Sequence, residues 1–325
     1  MPFIPESLLE HDARNPYSIV GTRAANVTSV DEALELGGLN WEAQLHPVTS
    51  TILTPEGVTT VEARTKRQVV RINPDGSAQP LNAVVGSGYG VIQNRQALSI
   101  AQQLVDSSDA KWGAVGSTHD GARTFAQLFF PQEILIGGRD AVNLSLVVRN
   151  YHDGGGSLVG VPTGIRLACS NQFPALDRSA VRFNIQHRGD AAEVKIEELR
   201  RAIGLTFKAG VELQELGDAL IKAPITSKEF LSFVDVIYPV LRDQDGQETV
   251  GSADRRAGVK KIYFEEQDQA DLLGTRWGAA QAVFAYEDWH RKVRGNSVAA
   301  HALRIVNHTA DPIKTRATNL LLAGV

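Results

Sequence analysis

The hydrophobic pattern of the chain changes near residue 190, and this change limits the folds that the chain can adopt. Between about residues 61 and 190, apolar runs such as RQVVRI, RTFAQLFF and VNLSLVVRNY alternate with turn residues, which is typical of antiparallel strands. After residue 190, apolar residues recur at helical spacing in AAEVKIEELRRAIGLTFKAGVELQELGDALIK. We therefore expect an α+β protein with an antiparallel sheet core and a helical C-terminal half.

One helix and two identical turns punctuate the strand-rich region. Residues 95–107 carry apolar side chains at helical spacing, so the core is expected to have a ββαβββ-like order. The tripeptide His-Asp-Gly occurs at residues 119–121 and again at residues 152–154. Each copy lies between strand-like runs, where Asp-Gly favours a turn. We interpret both copies as turns rather than as paired metal or acid/base sites.

The composition divides the chain into three expected regions. Residues 1–60 are acidic and lack clear periodicity, so they are expected to form an arm or a cap. Residues 61–190 form the α+β sheet core, and residues 191–325 form the helical region. Within the helical region, the polar run RDQDGQETVGSAD near residues 242–254 is expected to be a mobile linker.

Charge and cysteine content exclude several classes of protein. The formal net charge of −4 excludes a uniformly basic nucleic-acid coat, although a local basic groove is compatible with it. The start MPFIPESLLEHD lacks a basic segment followed by an apolar one, and no run reaches the length of a membrane span, so we expect a cytoplasmic protein. Cys169 is the one cysteine, so it cannot form an internal disulfide, and it is expected to be buried because it lies in an apolar, strand-like run.

The stretch AVVGSGYGVIQN raises the question of a phosphate-binding loop, because Gly86, Gly88 and Gly90 alternate in it. Such a loop needs glycines directly before a helix, and the ATP-binding version also needs Gly-Lys-Ser/Thr. Neither condition is met, so we expect a strand in which the glycines permit close backbone approach, with Tyr89 on the opposite face. No nucleotide cofactor is expected.

Catalytic motifs are also missing from the sequence. No H-E-x-x-H, C-x-x-C or G-x-S-x-G pattern occurs, so no catalytic residue and no metal ligand is assigned. The carboxylate pairs Glu197–Glu198 and Glu265–Glu266 are typical of solvated helix faces. We therefore expect a protein that is not an enzyme, and a catalytic site assembled from distant residues stays an open alternative.

Three separated motifs resemble one family. The segments VVGSGYGVIQNRQAL, GIRLACSNQF and TRWGAAQAVFAYEDWH look like the phage/plasmid-like proteins of a domain-of-unknown-function family in actinobacterial phages, prophages and plasmids, over roughly residues 30–310. The resemblance implies a mobile-element protein in a bacterial host cell, and it implies no established reaction. The order of elements is also similar to the core of ring-forming single-strand annealing proteins, an analogy of fold alone.

The candidate ligand-binding residues are basic and lie on the predicted strands. Alternation in VNLSLVVRNY places Arg149 and Tyr151 on a polar, exposed face, and Arg166 of the next strand is expected to project from the same face. A phosphate backbone would follow these arginines, with Tyr151 as a stacking platform. The groove is expected to extend over a further set of basic residues: Arg64, Lys66, Arg67, Arg71, Arg123, Arg178, Arg182 and Arg188.

These residues favour a function that needs no covalent chemistry. We expect a homo-oligomeric protein that binds single-stranded DNA and promotes strand annealing and recombination. The alternatives are a phage structural protein, or an inhibitory protein that binds a host protein without nucleic acid, and an unrecognised enzyme. Arginines on the solvent face of a sheet are also ordinary in proteins that bind no nucleic acid.

Overall fold

The computed structural model describes residues 15–169, 171–173, 183–185, 196–295, 297–307 and 311–324, and it confirms the predicted α+β class. The strands in chain order are β1 (Thr22–Arg23), β2 (Glu42–Thr54), β3 (Gly57–Ile72), β4 (Ala78–Gly86), β5 (Lys111–Thr118), β6 (Arg123–Ile136), β7 (Asp140–Tyr151), β8 (Leu158–Arg166) and β9 (Phe183–Ile185). The helices are α1 (Pro16–Val20), α2 (Val30–Leu36), α3 (Asn94–Asp106), α4 (Ile196–Lys222), α5 (Ser227–Ile237), α6 (Val250–Glu265), α7 (Arg276–Ala285), α8 (Val298–Asn307) and α9 (Pro312–Ala323).

Two antiparallel sheets organise the described part of the chain. The larger sheet has six strands in the order β1-β5-β6-β7-β8-β9, and the smaller has three in the order β2-β3-β4. Consecutive strands from β5 to β8 are hairpin neighbours, as their short connections require. The predicted helix between the two groups of strands is α3, with bounds one residue from those expected.

The expected acidic arm is wrong in its described part. Residues 42–54 form β2, whose partner β3 begins at Gly57, so the boundary expected at residue 60 cuts through a hairpin. Residues before β2 also pack on the core: β1 pairs with β5, and Ala33 and Leu34 of α2 are buried. Residues 1–14 lie outside the described residues. The acidic composition misled the prediction because the charged residues occupy the exposed sides of elements that bury their apolar sides.

One face of the six-stranded sheet carries α3 and α4. The apolar side chains of α3 pack on Leu128, Leu144 and Leu146 of β6 and β7. In α4 a glycine, Gly217, lies against the sheet, and a Cβ at this position would lie 2.5 Å from Ile136 Cδ1. This glycine lets the helix backbone lie close to the sheet. Phe207 and Val211 belong to the apolar residues at helical spacing from which the helix was predicted, but they are exposed.

The opposite face of the same sheet is covered by α1 and α8, which the sequence did not reveal. Tyr17 of α1 and Val306 of α8 form a buried cluster with Phe125 and Val147. As a result, residues 142–150 of β7 are buried on both faces of the strand. A central strand covered on both faces no longer shows the alternation of buried and exposed residues on which the predicted polar face depended.

The C-terminal helices largely follow the sequence signals, with one correction. Thr226 caps α5 in a reciprocal capping box with Glu229. The expected mobile linker at residues 242–254 is wrong in form: Asp243 organises a hydrogen-bonded turn, and residues 250–254 are the first turns of α6. No helix in the described part of the chain has the length and apolar character that crossing a membrane requires.

Candidate nucleic-acid interface

The two His-Asp-Gly copies lie side by side at one end of the six-stranded sheet. The first, His119–Gly121, joins β5 to β6, and the second follows β7, so both connections lie at the same end. The His152 N–H donates to the Ala122 carbonyl over 2.8 Å. Both glycines have positive φ, 94° at Gly121 and 71° at Gly154, which confirms the interpretation as turns. The described residues contain no group of three or more His, Cys, Asp or Glu side chains suited to a metal.

A first guanidinium–aromatic pair flanks the Gly121 turn. Arg71, on β3, lies over the ring of Trp41 at 5.0 Å, and its Nε donates to Asn73 Oδ1 over 2.6 Å. A Cβ on Gly121 would lie 3.5 Å from Arg71 Nη1, so the guanidinium lies against the turn. The smaller sheet therefore presents a half-buried arginine at the turn between β5 and β6 of the larger one.

A second pair lies where the same turn leads into β6. Arg123, the first residue of β6, lies over the ring of Tyr151 at 5.4 Å, and its Nε donates to Asp153 Oδ2 over 2.6 Å. The Tyr89 hydroxyl donates to the Tyr151 carbonyl over 2.7 Å, which ties the glycine-rich loop to the end of β7. We call the half-buried Arg71, Arg123 and Tyr151, together with the buried Trp41 and Gly121, the turn surface.

Arg149 adjoins the turn surface, but the expectation that it is exposed is wrong. Its side chain points from β7 towards α1, is 6% exposed, and donates from Nη2 to the Tyr17 hydroxyl over 2.8 Å. It also lines a small cavity together with Arg123, Tyr151, Thr118 and Asn307. Arg149 therefore reaches the surface only through this cavity.

Arg166 lies on the opposite face of the sheet, so the expected shared face is wrong. β7 and β8 pair with Val142 opposite Arg166 and Arg149 opposite Val159. Residues that pair directly share a face, so Arg166 lies on the face of Val142. Val142 and Arg149 are an odd number of positions apart on β7, so they lie on opposite faces. Arg166 is 3% exposed, and its Nε lies 2.8 Å and 2.9 Å from the two oxygens of Asp140. Arg166 therefore belongs to an ion pair in the core and is unavailable to a nucleic acid.

Lys66 and Arg67 lie further along β3, where the hairpin leaves the body of the protein. By alternation Arg67 shares the face of Arg71, whereas Lys66 is exposed on the other face. Arg67 Nη1 donates to the Lys66 carbonyl over 2.7 Å and lies 3.6 Å from Glu62. The structure thus brings Arg71, Arg123, Tyr151 and Arg149 together and leaves these two residues as an extension. The expected basic residues Arg178, Arg182 and Arg188 lie outside the described residues.

The glycine-rich stretch adopts a different form from the one expected. Gly86 is the last residue of β4, and Gly88 and Gly90 follow in the connection to α3 rather than within a strand. A Cβ at Gly86 or at Gly88 would meet nothing within 4 Å, so the expected close approach at these two positions is wrong. Tyr89 lies in this connection and is half-buried.

Two features of this surface had weak or no signals in the sequence. The duplicated His-Asp-Gly motif marked the two turns but not their adjacency. Asn307, at the end of α8, carries no signal that links it to Thr118, whose hydroxyl donates to its Oδ1 over 3.1 Å.

Burial and the nearby Arg123 lower the pKa of His119, so this histidine at the turn is neutral at pH 7.

The motifs GIRLACSNQF and TRWGAAQAVFAYEDWH meet in a buried polar seam on the far face of the sheet. Asn171 donates to the Gln281 carbonyl over 3.3 Å, and the Gln172 N–H donates to Asp288 Oδ2 over 2.9 Å. Lys314 Nζ lies 2.5 Å from Asp288 Oδ1. Cys169, which was expected to be buried, is half-buried and accepts from Arg166 Nη1 over 3.2 Å. Desolvation raises the pKa of its thiol to about 11, so the thiol is protonated and poorly nucleophilic at pH 7. This seam locks the helical region to the sheet.

Comparison with known proteins gives one match. The profile of a family described as a domain of unknown function, DUF932, matches residues 82–310. The matched region contains α3, the strands from β5 to β9, both His-Asp-Gly turns and most of the C-terminal helices. No curated protein and no solved structure is significantly similar to the chain.

Proposed function

The chain belongs to the DUF932 family, and we propose that it binds single-stranded DNA at the turn surface and promotes the annealing of complementary strands. The resemblance to phage and plasmid proteins supports a role in the recombination of a mobile element. The bound strand runs across the turn surface and onto the base of the β2–β3 hairpin, where Lys66 and Arg67 lie.

The observation that carries the proposal is that two arginines next to one turn each lie over an aromatic ring. A guanidinium that lies over a ring presents a flat cationic plane, which attracts phosphates and stacks with unpaired bases. Arg71 and Arg123 each provide such a plane: Arg71 lies against Gly121 of the turn, and Arg123 follows the turn in the chain. Tyr151 thus acts as the support of Arg123 rather than as the stacking platform itself.

Annealing also requires several strand-binding units, and the β2–β3 hairpin supports assembly. β2 forms one edge of the three-stranded sheet, and an edge strand offers unpaired backbone groups to a neighbouring chain. The hairpin tip is apolar, with Ile52, Leu53, Val58 and Val61 exposed by 45% or more. We propose that the tip contacts a second copy of the chain.

Fluorescence anisotropy with a labelled 30-nucleotide oligo(dT) tests the proposed function. We expect binding at low salt that weakens steeply as salt rises, since phosphate contacts release counterions. An increase in the rate at which two labelled complementary oligonucleotides pair would then establish annealing. The absence of any anisotropy change at low salt would overturn the proposal.

The apolar hairpin tip also favours a second candidate function, a protein that binds a host or phage protein. In the register of the hairpin Leu53 faces Val58 on one side, while Ile52 and Val61 lie on the other side. A strand ribbon that is apolar on both sides fits a protein groove. Retention of a single-chain mass in solution, without oligonucleotide binding, would favour this candidate.

A further inference from the structure

We propose that the cavity beside Arg149 is an oxyanion site, which takes one oxygen of a phosphate group that sits at its mouth. The site deepens the proposed function, because it is the point where a phosphate is held. The assignment of that phosphate to a DNA strand, rather than to free phosphate, rests on the proposed function.

The buried charge of Arg149 has neutral neighbours. Its guanidinium is almost fully buried, and it donates to the hydroxyl of Tyr17 over 2.8 Å and to the side chain of Tyr151. Its Nε makes no hydrogen bond, and no carboxylate lies within ion-pair distance of it among the residues that the structure describes. Buried arginines are ordinarily paired with an anion because an unpaired buried charge is costly.

Arg166, on the neighbouring strand, shows the ordinary arrangement. Arg166 is equally buried on the other face, and Asp140 neutralises it through two contacts of 2.8 Å and 2.9 Å. The protein thus supplies a counter-ion to one buried arginine and leaves the other without one. A ligand that carries negative charge accounts for the difference.

The lining of the cavity suits an oxyanion. Arg149 and Arg123 contribute cationic donors and Asn307 contributes an amide, while Thr118 gives its hydroxyl proton to Asn307 and serves to orient that amide. Asn307 accepts from Thr118 through its amide oxygen, which leaves its NH2 group to donate to a ligand. Asp153 is engaged by Arg123, over 2.6 Å. This set is rich in donors, as sites for phosphate oxygens are.

The size of the cavity fixes how much of the ligand enters. Its volume is about 20 Å³, which is room for one water-sized atom. A whole phosphate group does not fit, so one oxygen enters and the phosphorus stays at the mouth, between Arg149 and Arg123. This geometry leaves the rest of a nucleotide chain outside, along the turn surface.

The first His-Asp-Gly turn shapes one wall of the cavity. His119 and Asp120 both adopt left-handed backbone conformations, with φ of 54° and 56°. Asp and His adopt this conformation more readily than most residues other than glycine. Thr118, which lines the cavity, directly precedes these residues, so the turn sets the position of one wall.

The experiment compares the wild type with Arg149→Met and with Asn307→Asp. We expect inorganic phosphate to raise the Tm of the wild type above that in chloride at equal ionic strength, and Arg149→Met to abolish this difference. Arg149→Met is also expected to weaken oligo(dT) binding on the order of tenfold, since it removes a charge-assisted hydrogen bond to phosphate. Its Tm without phosphate is expected to be no lower than that of the wild type.

Asn307→Asp keeps the test valid if Arg149→Met fails to fold. It places a carboxylate in the cavity, so we expect a higher Tm and no response to phosphate. Arg95→Gln, which removes an exposed arginine of α3, is the matched control and is expected to respond to phosphate like the wild type.

The outcomes separate the site from its carrier. If phosphate acts through Arg149 but oligo(dT) does not bind, the site stands with free phosphate as its ligand and the proposed function fails. If oligo(dT) binds equally to the wild type and to Arg149→Met, and phosphate raises both Tm values equally, the site is overturned while the proposed function stands. Competition of phosphate with oligo(dT) would support both.

Discussion

Arg166 and Asp140 form an ion pair in the core: the arginine Nε lies 2.8 Å and 2.9 Å from the two carboxylate oxygens, and the side chains are 3% and 6% exposed. Trp277 Nε1 also donates to Asp140, over 2.6 Å. The pair therefore joins the start of β7 and the end of β8 to α7.

Replacing Arg166 with methionine should destabilise the protein strongly. The change leaves the Asp140 carboxylate buried without its cation, which costs about 3–5 kcal/mol in comparable cases. Urea unfolding followed by circular dichroism measures the loss. Arg95→Gln, which breaks the exposed pair with Asp31, should change the free energy of unfolding by about 0.5 kcal/mol or less. A loss below about 1 kcal/mol for Arg166→Met would show that water reaches the Asp140 carboxylate.

The double variant Arg71→Gln/Arg123→Gln should weaken binding to oligo(dT). If each arginine neutralises one phosphate, the slope of log K against log salt should become shallower by about 0.7 for each arginine replaced. The matched control is Lys208→Gln/Lys228→Gln, which removes two positive charges from exposed positions of α4 and α5, neither of which contributes to the turn surface. Equal effects of the two double variants would mean that the overall charge, and not this surface, governs binding.

Two glycines of α4 should respond in opposite directions to alanine. Gly217→Ala should be destabilising, because the new Cβ would lie 2.5 Å from Ile136 Cδ1 in the core. Gly204→Ala should stabilise by about 0.5–1 kcal/mol, because a Cβ there meets nothing within 4 Å and alanine favours the helix. Thermal unfolding of both variants checks the prediction, and stabilisation by Gly217→Ala would contradict the close approach of α4 to the sheet.

Stability should fall as the pH drops below about 6.5, the ordinary pKa of histidine, and His301 should contribute to the fall. Burial lowers the pKa of His301 in the folded state, although its Nδ1 donates to the Asp288 carbonyl over 3.2 Å. The unfolded chain therefore takes up a proton at a higher pH than the folded chain, which favours unfolding as the pH falls. His301→Gln should flatten the dependence of Tm on pH between about 5 and 7, and an unchanged slope would contradict it.

Charges at the hairpin tip should disrupt the proposed assembly without unfolding the chain. Leu53 and Val58 face each other and are 83% and 70% exposed, so Leu53→Lys/Val58→Lys adds charge where nothing in the described chain packs. Light scattering should give a mass several times 35.2 kDa for the wild type and a lower mass for the variant. Val250→Lys, at a 75% exposed position on α6, should leave the mass unchanged.

Local signals in the sequence predicted the local structure well. The His-Asp-Gly turns and the helix α3 each depend on residues close together in the chain, whose preferences are intrinsic to the backbone. The fold class followed from the change of hydrophobic periodicity, because that period reports which face each element buries.

Long-range packing accounts for what the sequence did not reveal. Arg149 was expected to be exposed because alternation in β7 is visible in the sequence, whereas its cover, Tyr17 and α8, comes from opposite ends of the chain. The face of Arg166 depends on the register between β7 and β8, and a shift of one residue would reverse it. Of the candidate site, the sequence predicted the residue types, and the topology decided which of them meet.

The packing of α1 against α8 has a consequence for how the chain is made. Phe125 and Val147 on that face of the sheet are covered by Tyr17 and Val306, which are separated by almost the whole described length of the chain. A ribosome releases residues in order, so the sheet can form with this face bare until α8 emerges. During that interval the nascent chain displays an apolar surface of the kind that chaperones bind, and this face is completed only once Val306 has been made.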